Sequence, residues 1–430
     1  QSCACVLYGY FTGSSPPVRL YTLHVSHNIG LVMSRKVPFR RKQARLRRTM
    51  PSFQRANNSS GVDTGGARFI DRYAEQIWLT LFAKAPEITL FDYRQMMVPI
   101  RPELKAEWQG SGTSYDFDSM IKSEKNEDGT FSEKATMALA AGYTLEVADQ
   151  VVGLLGNPIG IKSYKPYHST GEDFLHNYLG MVGIPMDLVP EFPHDSEIIL
   201  LAETAKHDPA IIQKIKKQLV DGKRVVMTSG LLRALQGQGI EDIVELEYTN
   251  RKALVKDFKA GWGQAVQSKE EMIIPQIQYL TNDSWEEISC LDGLNGWPIL
   301  HSADYANGKL YVLTIPENFS DLYNMPPEVW KKIKQTFMTD IFVRVDGPTQ
   351  VGLFVYDNNT FIVESFLSEN ADVDVVIDSK FSKLTDLLTG EDLEGEVLES
   401  RMIWGIKIGE DKVQFKTEIK PHSFRVFRCE

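Results

Sequence analysis

The apolar positions of this chain fall into two rhythms, one helical and one alternating, and the change between them divides it. Between Glu197 and Gly230 a short apolar run, Ile198-Ile199-Leu200-Leu201-Ala202, precedes a segment from Pro209 to Val220 with Ile211, Ile212, Ile215 and Leu219 on one helical face. A turn at Asp221-Gly222 leads to a second run, Arg224 to Thr228, ending at Ser229-Gly230. Buried runs flanking an amphipathic helix predict a βαβ unit with parallel strands. Open parallel sheets hold ligands at the carboxyl ends of their strands, so Thr228, Ser229 and Gly230 face the expected crevice.

Upstream, Arg68 to Lys84 carries Ile70, Tyr73, Ile77, Leu81 and Phe82 at helical spacing. After Pro86, Glu87 to Arg94 reads as a strand, Leu104 to Gly129 as a polar loop, and Phe131 to Leu155 as a long helix stopped by Gly156 and Asn157-Pro158. Such a set cannot bury its own faces and reads as the last part of a larger barrel or sheet. A Pro- and Gly-punctuated connection is expected over Gly156–Gly171, a helix over Glu172–Leu179, and a strand over Met186–Val189. Leu231–Gln236 is expected to be helical, Val244–Ile315 strand-rich with Lys309–Ile315 its clearest strand, and Pro327–Met338 a closing helix.

From Asp340 the period falls to two. Gly352–Asp357 and Thr360–Phe366 flank Asn358-Asn359 as a hairpin, and Val373–Ile377, Arg401–Ile408, Lys412–Thr417 and Ser423–Phe427 continue the series. Strands at this spacing predict a small all-β sandwich.

Length and charge refine the picture. Four hundred and thirty residues suffice for two to four domains. The apolar runs reach only about five residues, far short of a bilayer span, so no membrane partner is expected. Residues 1–66 hold ten basic residues and one acidic residue, Asp63, which leaves −19 on the remainder of a chain whose net charge is −10. The acidic bulk argues against a nucleic-acid partner. Three readings fit the basic segment: a transit peptide, a basic arm, or translation out of frame ahead of the true reading frame. The last is favoured, in a chain that starts at Gln1, and no convincing signal peptide is recognised. Of four cysteines, Cys3, Cys5 and Cys429 lie near the termini and Cys290 inside, with no CxxC and no zinc-like spacing. The histidines, among them His168, His176, His194 and His207, show no HExxH or i,i+4 pairing. No metal or cofactor is expected.

Three places could carry chemistry. Ser229 follows a strand and precedes a helix, as a nucleophile elbow does, but Met227-Thr228-Ser229-Gly230-Leu231 lacks the first Gly of G-x-S-x-G. It also lacks the cysteine of a class I glutamine amidotransferase. The plain alternative is that Ser229 caps the helix. Asp92 and Arg94 alternate with Tyr93 at the end of a strand, where a (β/α)8 barrel places its active site; a structural ion pair is the competing reading. Gly160-Ile161-Lys162-Ser163 is a poor match to a phosphate loop.

The order of parts, barrel end then α/β domain then β domain, resembles the C-terminal portion of glycoside hydrolase family 42-type β-galactosidases and their clan A relatives. The sharpest local match is Phe91-Asp92-Tyr93-Arg94-Gln95, similar to the Phe-Gln-Trp-Arg-Gln that ends the eighth barrel strand there. Asp92 for Gln and Tyr93 for Trp are departures that put the sugar in doubt. The resemblance implies an α/β multidomain chain over roughly residues 67 to 430. Residues 67–155 would finish a TIM barrel, 156–339 would form a Rossmann-like, class I glutamine amidotransferase-like trimerisation domain, and 340–430 a β-sandwich; residues 1–66 would not be natively folded. It further implies a carbohydrate substrate contacted by Asp92, Tyr93, Arg94 and Gln95, a homo-oligomer (a trimer), and retaining hydrolysis by two carboxylates. Those carboxylates belong after the fourth and seventh strands. The first would lie in a part of the barrel this chain does not contain, and the second in a stretch where residues 1–62 have no Asp or Glu. The competing expectations are a non-catalytic carbohydrate-binding or assembly protein and an amidotransferase-like hydrolase using Ser229.

Overall fold

A computed structural model describes residues 70–85, 135–261, 263–280, 284–293, 295–403 and 406–430, with positions 97, 99–100, 113 and 127–129 in addition. The chain forms two compact units. One holds the described residues up to Leu155 together with Lys420–Ser423; the other holds Gly156–Ile419 and Phe424–Glu430.

In the first unit, α1 (Ile70–Phe82) buries Ile77, Leu81 and Phe82 of the expected stripe and with them Ala74 and Trp78; the side chains of Ile70 and Tyr73 lie outside the described residues. It packs on α2 (Met137–Val152), which begins later than its apolar pattern suggests because the Thr136 hydroxyl accepts from the Leu139 N–H and caps it there. The Trp78 indole N–H donates 3.2 Å to the carbonyl of Thr144. The Lys84 ammonium donates to the carbonyls of Val152 and Leu155, satisfying the end of α2 with the charge its dipole favours.

The second unit is organised on a nine-stranded sheet. Its strands are β2 (Ile161–Tyr164), β3 (Met186–Val189), β4 (Ile198–Leu201), β5 (Arg224–Thr228), β6 (Leu246–Ala260), β7 (Val266–Tyr279), β8 (Ser284–Asp292), β9 (Asn295–Tyr305) and β10 (Gly308–Leu313). Across the sheet the order is β3-β2-β4-β5-β10-β9-β8-β6-β7. The first five are parallel and the rest antiparallel. The βαβ unit stands where its pattern placed it, with β4 and β5 joined through α4 (Ile211–Val220). Helix α4 covers one face with Ile211, Ile212, Ile215 and Leu219. The other face receives α3 (Leu175–Met181) and α6 (Pro327–Phe337); the short α5 (Ser229–Leu235) follows β5.

Two expectations for the large sheet and its helices are corrected. The connection expected over Gly156–Gly171 contains strand β2 and the two-residue β1 (Pro158–Ile159). The polar Lys162 and Ser163 hid β2, and both are satisfied in place: Lys162 pairs with Asp187, and Ser163 meets His176. The helix expected from Glu172 begins only at Leu175, because Glu172 (φ 44°) and Phe174 (φ 73°) are left-handed.

The C-terminal residues form a sheet domain. One sheet runs β1-β12-β13-β21-β15-β16 and the other β11-β14-β20-β17. The strands are β11 (Val343–Asp346), β12 (Val351–Tyr356), β13 (Thr360–Ser365), β14 (Ala371–Asp378), β15 (Leu384–Asp386), β16 (Asp392–Leu393), β17 (Glu396–Leu398), β20 (Lys412–Ile419) and β21 (Phe424–Cys429). Arg401–Ile408, expected as one strand, is a separate hairpin of β18 (Arg401–Ile403) and β19 (Ile406–Ile408). One hydrophobic cluster links Leu200 and Val226 of the large sheet with Trp330 of α6 and Phe361, Phe415 and Phe427 of these sheets. Strand β1 pairs antiparallel with β12, so the chain contributes a strand to the C-terminal domain before entering the large sheet.

Candidate functional site: the crevice at the strand ends

The predicted substrate contacts Asp92, Tyr93, Arg94 and Gln95 lie outside the described residues, as does the strand expected to carry them. The crevice at the carboxyl ends of β2, β4 and β5 is described in full.

Its centre is a carboxylate that sequence reasoning missed. Glu172 accepts 2.7 Å from the backbone N–H of Glu203 and 2.5 Å from the hydroxyl of Thr228. The Gly230 N–H also donates to it. The residue is half-exposed as a whole, but its carboxyl group lies inside. Burial pushes that carboxyl above the usual range, against the pull of the three donors, and the neighbouring charge of Glu203 pushes the same way. Glu203 itself is held below the usual range: burial alone would raise it, but Lys206 (2.8 Å) and Arg233 (3.4 Å) outweigh burial.

Ser229 is buried and its Oγ accepts 3.0 Å from the Ile315 N–H, tying the end of β5 to the residues after β10. It is not the helix cap. Thr228 is the cap, its hydroxyl accepting 3.3 Å from the Leu231 N–H while donating to Glu172, because the strand ends at Thr228 and Ser229 is already helical.

Beside the crevice, the Tyr164 hydroxyl donates 2.9 Å to Asp208, which also accepts from Lys214 at 2.5 Å and from the Ala210 N–H at 2.9 Å. Burial would raise the Asp208 carboxyl, but these donors hold it below its ordinary value. The predicted histidines fall apart in space. His176 is buried against Ser163 (2.9 Å), His207 donates to the Thr170 carbonyl (3.0 Å), His194 lies over Phe192, and His168 sits on a left-handed turn. Gly160-Ile161-Lys162-Ser163 leads into and forms β2, a strand and not a phosphate-binding turn. Cys290 and Cys429 are free and buried. Between α6 and the C-terminal sheets an open groove of about 700 Å³ is lined by Glu328, Lys331, Asp346, Asp372, Asp374 and Lys416.

The crevice can hold a carboxylate with backbone and hydroxyl donors. The signal that could have found it is local: Gly171-Glu172 after one strand, and Thr228-Ser229-Gly230 after another. Among the described residues, no helix is long and apolar enough to cross a membrane.

Three domain families match the chain. Residues 46–154 match a probable glycosyl hydrolase catalytic domain, from within the basic segment onward. Residues 156–318 match the second domain of the uncharacterized protein SSO3021, and residues 342–429 a probable glycosyl hydrolase C-terminal domain. No curated protein matches the chain. Among solved structures, a catalytic mutant of Gan42B, a GH42 β-galactosidase from G. stearothermophilus, is 14% identical over 76% of this chain and 48% of its own, with a TM-score of 0.41. The β-galactosidase from Bacillus circulans sp. alkalophilus is 12% identical over 71% and 46%, with a TM-score of 0.38. That from Rahnella sp. R3 is 8% identical over 85% and 58%, with a TM-score of 0.41. The chain thus spans about half the length of the β-galactosidases it matches. It is similar to the glycosyl hydrolases through its first and last matched domains, and the expected likeness to family 42 enzymes fits both.

Proposed function

We propose that this chain is the C-terminal portion of a retaining, β-galactosidase-like glycoside hydrolase acting on oligo- or polysaccharide. The observation that carries the reading is the order of the matches, a glycosyl hydrolase catalytic domain at 46–154 and a glycosyl hydrolase C-terminal domain at 342–429. In this reading residues 67–155 close a TIM barrel, and Asp92, Tyr93, Arg94 and Gln95 contact the sugar. Residues 156–339 form a Rossmann-like, amidotransferase-like domain that assembles a homo-oligomer, a trimer by resemblance, and residues 340–430 form a β-sandwich. Five parallel strands with helices on both faces support the second assignment. Burial of Ser229, with its Oγ accepting from Ile315, favours a structural part for that serine.

In this reading a retaining mechanism needs two carboxylates, and neither is identifiable in this chain. The chain alone is expected to bind sugar without cleaving it. A panel of aryl glycosides tests this: no turnover is expected from the chain as it stands, and activity from the protein extended by its upstream coding sequence. Robust hydrolysis by the present chain would overturn the assignment. Calorimetric titration with galactose supplies the binding arm, in which Arg94→Ala is expected to weaken affinity at least tenfold.

A further inference from the structure

Residues 165–174, which connect β2 to α3, are shaped to deliver one carboxylate into the crevice. Within this short segment His168, Glu172 and Phe174 have φ of 60°, 44° and 73°. Non-glycine residues persist in that region only where their surroundings over-determine it. Gly171, at φ +125°, lies so close to Glu203 that a Cβ would stand 2.9 Å from its Cγ. A Cβ on Gly230 would stand 2.4 Å from Glu172 Oε1, so a side chain there would push this carboxylate out of its seat. His207 holds the same segment through the Thr170 carbonyl, at 3.0 Å.

The donors to Glu172 are the Thr228 hydroxyl and the N–H groups of Gly230 and Glu203. They follow β5 and β4, at the strand ends where open parallel sheets hold bound anions. A glycine that lets a backbone turn approach an anion is the device such sheets use for phosphates. Here the anion is a side chain of the same molecule.

We propose that Glu172 is a built-in ligand: its carboxylate fills the anion position at the ends of β4 and β5, fastens residues 165–174 across the crevice, and closes it to external carboxylates. The neighbouring charge of Glu203 works against the seated carboxylate, and Lys206 and Arg233, paired with Glu203, offset that charge. The upward shift of the Glu172 carboxyl is that of a group held away from water. The proposal does not depend on the glycosidase reading, since it concerns residues outside the sugar-binding segment.

Chemical rescue tests it. Removing these charge-assisted bonds in Glu172→Ala is expected to lower Tm by about 5–10 °C. Sodium acetate, compared with sodium chloride at equal ionic strength, should then recover half or more of the loss in a saturable way. The wild-type protein should respond alike to both salts, and Glu172→Ala with Thr228→Val should recover less. An equal acetate response in wild type and Glu172→Ala would overturn the proposal. Glu172→Gln keeps the shape and loses the charge, and it gives an independent readout if the alanine variant does not fold. Hydrogen exchange over residues 165–174 should rise at least tenfold while α4 stays protected; wild-type exchange there would also overturn the proposal.

Discussion

Glu75 and His422, 347 positions apart in sequence, meet side chain to side chain in the interior of the first unit, the Nδ1 of His422 against the Glu75 carboxylate. Both are almost fully buried, at 3% and 4% exposure. The segment Lys420–Ser423 belongs to that unit although the strands on either side of it belong to the second. Burying a carboxylate demands a partner, and the chain sends one back from its far end.

Replacing His422 by Ala removes that partner and is expected to destabilise the first unit by about 2–3 kcal/mol, the range for hydrogen bonds to charged groups. The effect should be local. Hydrogen exchange over α1 and α2 should accelerate, while amides of α4, in the second unit, keep their protection. Unchanged exchange in α1 would show that the pair does not hold the helix.

Arg344 lies between two carboxylates on the C-terminal domain. It donates to both oxygens of Asp346 at 2.8 and 2.9 Å, and to both of Glu410 at 2.7 and 2.8 Å. Arg344→Met strands two partly buried charges and is expected to cost about 3–5 kcal/mol. Arg344→Lys should recover only part, since an ammonium cannot fill two forks. Burial would raise the Glu410 carboxyl, but Arg344 outweighs it and holds the carboxyl below its ordinary value. That contribution is present above the unfolded carboxylate pKa, about 4.3. It fades as pH falls through the folded value, so urea unfolding should show the gap between wild type and Arg344→Met narrowing in acid.

The elements legible in sequence are those whose burial is one-sided or complete. The strand Arg224–Thr228, the stripe of α4 and the hairpin around Asn358-Asn359 all follow from apolar spacing, and each stands within a residue or two of its expected place. Strand β2 was hidden because Lys162 and Ser163 depend on Asp187 and His176, partners that only the fold brings near. Glu172 was hidden for a related reason. Its three donors come from Thr228, Glu203 and Gly230, on two other turns, and Gly171 before it is the one local mark that sets it apart from a solvated glutamate. The strands after Asp340 were readable from the change of period there. The cluster joining Val226 to Phe415 was not, because core contacts between distant segments leave no periodic trace.

His176 and His301 should together make stability fall in mild acid. Both are buried, and burial lowers each to about 4, with the charge of Lys165 adding to the effect on His176. An unfolded histidine titrates near 6.5. Between those values the unfolded chain binds the extra proton, so stability is complete above about pH 6.5 and declines as pH falls toward 4. Each ring contributes on the order of 3 kcal/mol to the difference. His176→Gln, whose amide can still reach Ser163 Oγ, should remove about half of that decline. Urea unfolding at several pH values measures it, and an unaltered slope would refute the assignment.

Lys334 gives the opposite end of the pH scale a distinct signature. It is 3% exposed, and its ammonium donates 2.6 Å to the carbonyl of Val345. Gly183 leaves it room: a Cβ there would stand 3.2 Å from Nζ. Burial lowers Lys334 to about 8; the Asp346 carboxylate works against this and Arg344 with it. An unfolded lysine titrates near 10.4, so above pH 8 the folded protein releases a proton that the unfolded chain retains. Stability should therefore rise from about pH 8 to about pH 10.4 by on the order of 3 kcal/mol from this group. Lys334→Met fills the same space without a charge to desolvate. It is expected to be as stable as wild type or more so at pH 7, even with the Val345 carbonyl deprived of a donor. It should also abolish the alkaline rise. A variant that loses several kcal/mol at pH 7 and keeps the wild-type slope would show that this ammonium sits in a far better solvated place than its burial implies.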